Sequence, residues 1–223
     1  MIPALDEEAA LPHVLAAIPR DIVRRVVVAD NGSRDRTAAV ARAAGAEVVH
    51  EPRRGYGAAC LAALARLRRT GPPDVVAFLD GDHSDHPEEL PRLLAPIEDG
   101  TAVLVVGSRA TGRAERGSLT AQQRVGNAIA AGALRILYRA RYTDLGPFRA
   151  ITWDALETIG MRDRDYGWTV EMQVRAARLG LPHVEVPVSY RQRIGVSKVS
   201  GTVRGTIGAS RKILWTLGRH ALG

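Results

Sequence analysis

Two apolar runs, Val26-Val27-Val28-Ala29-Asp30 and Val75-Val76-Ala77-Phe78-Leu79-Asp80, each end in an aspartate followed at once by a turn rich in small or polar residues. Such runs, apolar throughout rather than alternating, suit strands buried on both faces. What lies between them is helical. A helix is expected from about Ser33 to Ala44, stopped by Gly45. Glu47-Val48-Val49-His50 is a short strand, and Gly55-Tyr56-Gly57 opens a second helix that reaches about Arg69 before Gly71-Pro72-Pro73. After Asp80, Pro87 starts a helix at its first turn, and Val103-Leu104-Val105-Val106-Gly107 is the next strand. This β-α-β-α order predicts an α/β fold with a mostly parallel central sheet and helices on both faces. The second half is less regular: helices are expected over 119–139 and 169–179, a strand over 183–188 with Pro187 marking an edge or bulge, and an amphipathic helix over 203–217.

The 223 residues, 46% apolar and 25% charged, suffice for one domain with a sizeable core. We expect that domain over 1–190 and a basic C-terminal arm over 191–223. The arm holds Arg191, Arg193, Lys198, Arg204, Arg211, Lys212 and Arg219 and no acid, which accounts for the whole net charge of +7. Such an arm suits an anionic partner, and its apolar positions Val203, Ile207, Leu214, Trp215 and Leu217 suit either an interfacial helix or a face packed on the domain. The lone Cys60 rules out an intrachain disulfide. No signal peptide is visible, and the charge-free run between Arg124 and Arg135 falls short of the roughly 20 residues that cross a bilayer. The expected location is cytoplasmic, peripheral at the inner face of the membrane. Nucleic acid is not the expected partner, because aromatics are only 4% and residues 1–190 are balanced in charge.

Ligands of open α/β sheets bind beyond the carboxyl ends of the strands. Here those ends carry Asp30-Asn31-Gly32-Ser33, Asp80-Gly81-Asp82-His83-Ser84-Asp85 and Gly107-Ser108-Arg109. The spacing of Asp80 and Asp82 lets one or both reach a hard divalent cation; Mg²⁺ takes one or two carboxylates and fills its shell with water and phosphate oxygens. The competing reading is a solvated acidic turn ahead of the Pro87 helix. His83 and His86 make zinc a weaker alternative. Gly55 and Gly57 could bring backbone close to a nucleotide, with Arg53 or Arg54 beside its phosphates, or could simply start a helix. There is no P-loop and no nucleophile elbow. A nucleotidyltransferase would want a Gly-rich basic loop in Ile2–Ala10, which is missing.

Taken in order, Ile2-Pro3-Ala4-Leu5-Asp6-Glu7-Glu8, Val28-Ala29-Asp30-Asn31-Gly32-Ser33-Arg34-Asp35-Arg36-Thr37, Arg54-Gly55-Tyr56-Gly57-Ala58 and Phe78-Leu79-Asp80-Gly81-Asp82 resemble family 2 glycosyltransferases of the GT-A fold. The later segments Gly107-Ser108-Arg109, Arg124-Val125-Gly126-Asn127, Asp144-Leu145-Gly146-Pro147-Phe148-Arg149, Val186-Pro187-Val188 and Gly195-Val196-Ser197-Lys198 are similar to the branch that contains dolichol- and polyprenyl-phosphate sugar synthases. The resemblance covers nearly the whole chain. It implies that Pro3, Leu5, Glu7 and Asp30 line a nucleoside pocket for a UDP- or GDP-sugar. It implies that Asp80, with Gly81, contacts the nucleotide-sugar and that Asp82 helps hold Mg²⁺ or Mn²⁺. Arg54, Arg109 and Arg124 would face phosphates, and Arg191, Arg193, Ser197 and Lys198 would meet a polyprenyl phosphate or another anionic acceptor. Ser84 stands where the family often has Gln.

The expected reaction is an inverting transfer. A phosphate acceptor needs no general base near pH 7, whereas a hydroxyl acceptor does. Glu171 is the candidate base, against a plain reading as a first-turn carboxylate favoured by the helix dipole. Asp144 is either a donor-sugar contact or a turn residue. Trp168 is either a stacking platform or core.

Overall fold

A computed structural model describes residues 1–195; Ser197, Lys198 and the expected helix over 203–217 lie outside the described residues. Strand β1 (Ile2–Ala4) pairs in parallel with β2 (Val27–Asp30), and β2 with β3 (Glu47–His50). A second sheet has the order β4 (Val75–Phe78), β6 (Arg149–Thr152), β5 (Leu104–Ala114), β7 (His183–Tyr190). Two hydrogen bonds join the sheets: the Met1 amine donates to Ala77 O at 2.7 Å, and Leu79 N–H to Met1 O at 3.3 Å. The sheet is mixed on one side. β6 runs antiparallel to both β4 and β5, while β7 is parallel to β5 and forms the far edge. The β5–β7 register shifts between Ser108 and Arg113, the irregularity that Pro187 signals.

Period-two alternation along the strands divides the core. Val27, Ala29, Val76, Phe78, Leu104, Val106 and Ile151 point to one face, where α3 (Tyr56–Thr70), α5 (Ala121–Tyr138), α6 (Trp153–Ile159) and α7 (Trp168–Arg178) pack. Ile2, Ala4, Val28, Val105 and Ala150 point to the other, against α1 (Leu11–Ala17), α2 (Thr37–Ala43) and α4 (Leu90–Glu98). Trp168 is core: it is fully buried, with its ring 6.2 Å from that of Phe78. α5 starts on a capping box in which Thr120 accepts from Gln123 N–H and the Gln123 side chain accepts from Thr120 N–H.

The Gly55-x-Gly57 pair has a packing role, and Gly55 also lines the cleft beyond the strand ends. A Cβ at Gly57 would stand 2.1 Å from Asp163 O, and one at Gly55 2.1 Å from Arg164 O. The two glycines let the first turn of α3 press backbone to backbone on the loop ahead of α7. Gly57 N–H donates to Asp165 O at 3.2 Å and Ala58 N–H to Arg164 O at 2.9 Å.

Candidate active site

The ends of β1, β2, β4 and β5 converge on a cleft of about 340 Å³. Pro3, Leu5, Glu7 and Asn31 line its β1–β2 side, Asp80, Gly81 and Asp82 its floor, and Arg54, Arg109 and Arg193 its basic wall. Gln123, Tyr56, Tyr166, Tyr190 and the backbone at Gly55 also line it. A larger cleft of about 540 Å³, lined by Met1, Arg24, Val27 and Val75 among others, opens at the opposite, amino ends of the strands. The chemistry-bearing residues sit at the carboxyl ends, as strand geometry requires of a parallel sheet.

Asp80 leaves β4 half-buried, and its Oδ1 is buried with no hydrogen-bond partner among the described residues. Burial, then the charges of Asp82 and Asp85, holds its carboxyl well above the usual carboxylate range. Asp82 is buried. Its Oδ1 accepts from Ser84 N–H at 3.0 Å and from the Ser84 hydroxyl, and its Oδ2 pairs with Arg193 at 2.8 Å. Ser84 thus orients Asp82. Asp85 receives the Asp80 N–H at 3.1 Å, and burial pushes its carboxyl up to about 7.

Among the described residues no three His, Cys, Asp or Glu side chains form a ready-made metal cage. The residues do fit a hard divalent cation: an orphaned, buried carboxylate oxygen on Asp80 stands beside a second carboxylate, in a cleft open to phosphate oxygens.

Arg109, from β5, is held by Asp144. Its Nε and Nη2 donate to Asp144 Oδ2 and Oδ1, each at 2.7 Å, and its backbone N–H donates at 2.8 Å. Asn127 Nδ2 and Leu145 N–H also donate to Asp144 Oδ1, at 2.6 and 2.7 Å. Asp144 is completely buried, and these donors hold its carboxyl below the usual range against the opposing pull of burial. Its oxygens are committed, so it positions Arg109, whose guanidinium lies 4.9 Å over the Tyr190 ring.

Other residues singled out from sequence take different places. Glu171 does not line the cleft. It is buried, accepts from Arg162 N–H at 3.0 Å and Asp163 N–H at 2.7 Å, and pairs with Arg175 at 3.0 Å. It orders the loop that carries Tyr166 to the cleft. Arg191 is a clamp, donating to His83 O at 2.6 Å and Asp85 O at 2.9 Å. Together with the bonds from Arg191 N–H to Ser84 O and from Ile194 N–H to Asp82 O, this fastens the chain after β7 along the acidic turn. Asp30 is buried just behind the lining. Its Oδ1 accepts from Ser33 N–H at 3.1 Å and its Oδ2 lies 3.2 Å from His50 Nδ1. Burial raises its carboxyl, and the Ser33 and His50 bonds bring it net below its ordinary value. Arg124 is exposed and off the cleft, where its neighbour Gln123 stands.

The cleft-lining Tyr56, Gln123, Tyr166 and Tyr190 had no role assigned from sequence, and neither had two residues that brace the site. Asn31 donates to the carbonyls of Glu51 (3.0 Å) and Arg53 (2.7 Å) and accepts from Gly55 N–H (2.9 Å), tying β2 to the start of α3. Its place in the Asp30-Asn31-Gly32-Ser33 turn was the available signal. Arg149 is fully buried with no carboxylate bonded to it among the described residues, donating to the carbonyls of Leu145, Gly146 and Thr169. Nothing local marks it as buried.

An α/β sheet whose strand ends gather paired carboxylates opposite arginines defines a class, the GT-A nucleotide-sugar transferases. The sequence model described as Glycosyl transferase family 2 matches residues 1–161, and the chain belongs to that family. Its relatives include an uncharacterized glycosyltransferase of Mycobacterium tuberculosis, 43% identical over 208 residues, covering 93% of this chain and 91% of the relative. The undecaprenyl-phosphate mannosyltransferase of Micrococcus luteus is 36% identical, covering 92% of this chain and 88% of its own length. Among solved structures, glucosyl-3-phosphoglycerate synthase from Mycobacterium tuberculosis in complex with phosphoglyceric acid superposes with a TM-score of 0.77 at 26% identity, covering 99% of this chain and 78% of that one. The same enzyme has been solved with Mn²⁺, UDP-glucose and glycerol 3-phosphate, where the TM-score is 0.76 at 25% identity with the same coverage.

Proposed function

We propose that this glycosyltransferase moves a sugar from a nucleoside diphosphate sugar to polyprenyl phosphate, with inversion at the anomeric carbon. The observation that carries the reading is the composition of the cleft: carboxylates on its floor and arginines on its wall, with Glu171 and Asp144, the carboxylates considered for base and donor-sugar contact, both committed to other partners. Pro3, Leu5, Glu7 and Asn31 receive the nucleoside, with Asp30 behind them. Asp80 and Asp82 are the residues that would hold Mg²⁺ or Mn²⁺, which when bound offsets charge on the departing diphosphate. Arg109, fixed in direction by Asp144, and Arg193 face phosphate oxygens and stabilise the charge that develops there. The acceptor oxygen forms its bond to the anomeric carbon as the bond from that carbon to the diphosphate breaks on the opposite side.

An anionic phosphate acceptor needs no deprotonation near pH 7. This fits Glu171 and Asp144 being spent on backbone and arginine. The relative named for undecaprenyl phosphate supports the same acceptor class. A hydroxyl acceptor with Glu171 as base is disfavoured by where Glu171 sits.

The test is transfer of labelled sugar from UDP- and GDP-sugars to polyprenyl phosphate with Mn²⁺, scored as an acid-labile, organic-soluble product. A labelled lipid from one donor class is expected. Transfer only to soluble hydroxyl acceptors would sink the acceptor assignment while leaving the family intact.

A further inference from the structure

The outward face of α5 is apolar and uncovered by the described fold. Val125 is 59% exposed, Ile129 55% and Ile136 81%. Gly132, between them, has open space where a Cβ would stand. Spacings of four, three and four residues put these positions on one stripe of the helix. The opposite side holds Ala130 and Leu134, both fully buried. Single exposed apolar residues are ordinary, but a stripe running along a helix marks a contact surface. Along the segment that carries it the charge has one sign: Arg116, Arg124, Arg135, Arg139 and Arg141 fall between Glu115 and Asp144, with no acid among them. The helix also starts at the cleft, where Gln123 lines the wall and Asn127 donates to Asp144.

We infer that this face of α5 docks on an anionic phospholipid surface, with Val125, Ile129 and Ile136 at the acyl boundary and the arginines among the head groups. Charge decides between occupants. A second copy would set one row of arginines against another. The segment from 196 onward carries Lys198, Arg204, Arg211, Lys212 and Arg219 and no acid, so charge disfavours it as the occupant as well. An anionic lipid surface matches both the stripe and its cations. Docking there brings the cleft mouth to head-group level. The inference goes beyond the acceptor assignment and does not rest on it, since a lipid surface without polyprenyl phosphate suffices.

The test is co-sedimentation of the full chain with phosphatidylglycerol–phosphatidylcholine vesicles and with pure phosphatidylcholine vesicles, at low and high salt. Binding to the anionic vesicles only, weakened by salt, is expected. Ile129→Ser with Ile136→Ser should weaken partitioning by at least about tenfold. Arg135→Gln with Arg139→Gln should weaken it by about tenfold and flatten its salt dependence. Circular dichroism and UDP titration should match the parent in both variants, which excludes misfolding. Unchanged partitioning of the isoleucine variant overturns the inference. So does binding that is lost only when the five cations from Lys198 onward are neutralised. A vesicle-free dimer that the isoleucine variant abolishes would make the face a self-interface instead.

Discussion

At the scale of single residues, the pair on which the basic wall depends is Arg109–Asp144. Both side chains are nearly or wholly buried, and Asp144 receives five donated hydrogen bonds. Removing one partner strands the other's charge in a dry site, which typically costs about 3–5 kcal/mol. Arg109→Ala should therefore lower the urea midpoint markedly, where a surface arginine would not. The linkage has a definite sign. The folded-state carboxyl of Asp144 is depressed, so its contribution is full above the unfolded value of about 4 and is lost as pH falls through the folded one. Urea midpoints between pH 6 and pH 2 should decline through that window in the parent and less steeply in Asp144→Asn. Equal slopes would mean that Asp144 is not the carboxylate held down.

At the scale of elements, the joint between α3 and the loop ahead of α7 carries the clearest expectation. Gly57→Ala places a methyl where Asp163 O already stands, so either the loop or the first turn of α3 must move. A loss of about 1–3 kcal/mol is expected, in the range for overpacking, together with weaker donor binding, because Tyr56 and Tyr166 flank that joint. Glu171→Gln keeps an acceptor for the loop N–H groups but loses charge-assisted bonds, so stability should drop by about 1–3 kcal/mol. Turnover with a phosphate acceptor should persist; a collapse of kcat with stability intact would return Glu171 to the role of base. The same joint explains what sequence could and could not reveal. Val26–Asp30 and Val75–Asp80 disclosed their strands and acidic turns because burial on both faces leaves an uninterrupted apolar run. β6 was hidden, since Arg149-Ala150-Ile151-Thr152 is short and opens on a buried arginine. Glu171, Asp144 and Arg191 were legible as special residues but not in their roles. Their partners Asp163, Arg109 and His83 lie 8, 35 and 108 positions away, and only the folded chain reveals that their polar atoms are already taken.

At the scale of the molecule, the sheet sends its carboxylates and arginines to one end, so ligand and fold stability should be coupled through that end. A ligand that binds only the native state stabilises it by about 2.7 kcal/mol at one hundred times its Kd. For a chain of this size each kcal/mol moves Tm by about 2–4 °C, so saturating nucleotide should raise Tm by about 5–10 °C. Asp80 and Asp82 lie together on the floor, where Arg193 offsets part of their mutual repulsion and a cation arriving with the diphosphate would offset more. The shift should accordingly need Mn²⁺ and vanish in EDTA, and it should appear with UDP or with GDP but not equally with both. Asp82→Asn should lose most of the Mn²⁺-dependent shift while keeping the ligand-free Tm within a few degrees, because Ser84 can still bond the amide oxygen. A full shift in EDTA, or in Asp82→Asn, would remove the metal from this account and leave Arg54, Arg109 and Arg193 as the diphosphate's counter-charges among the described residues that line the cleft.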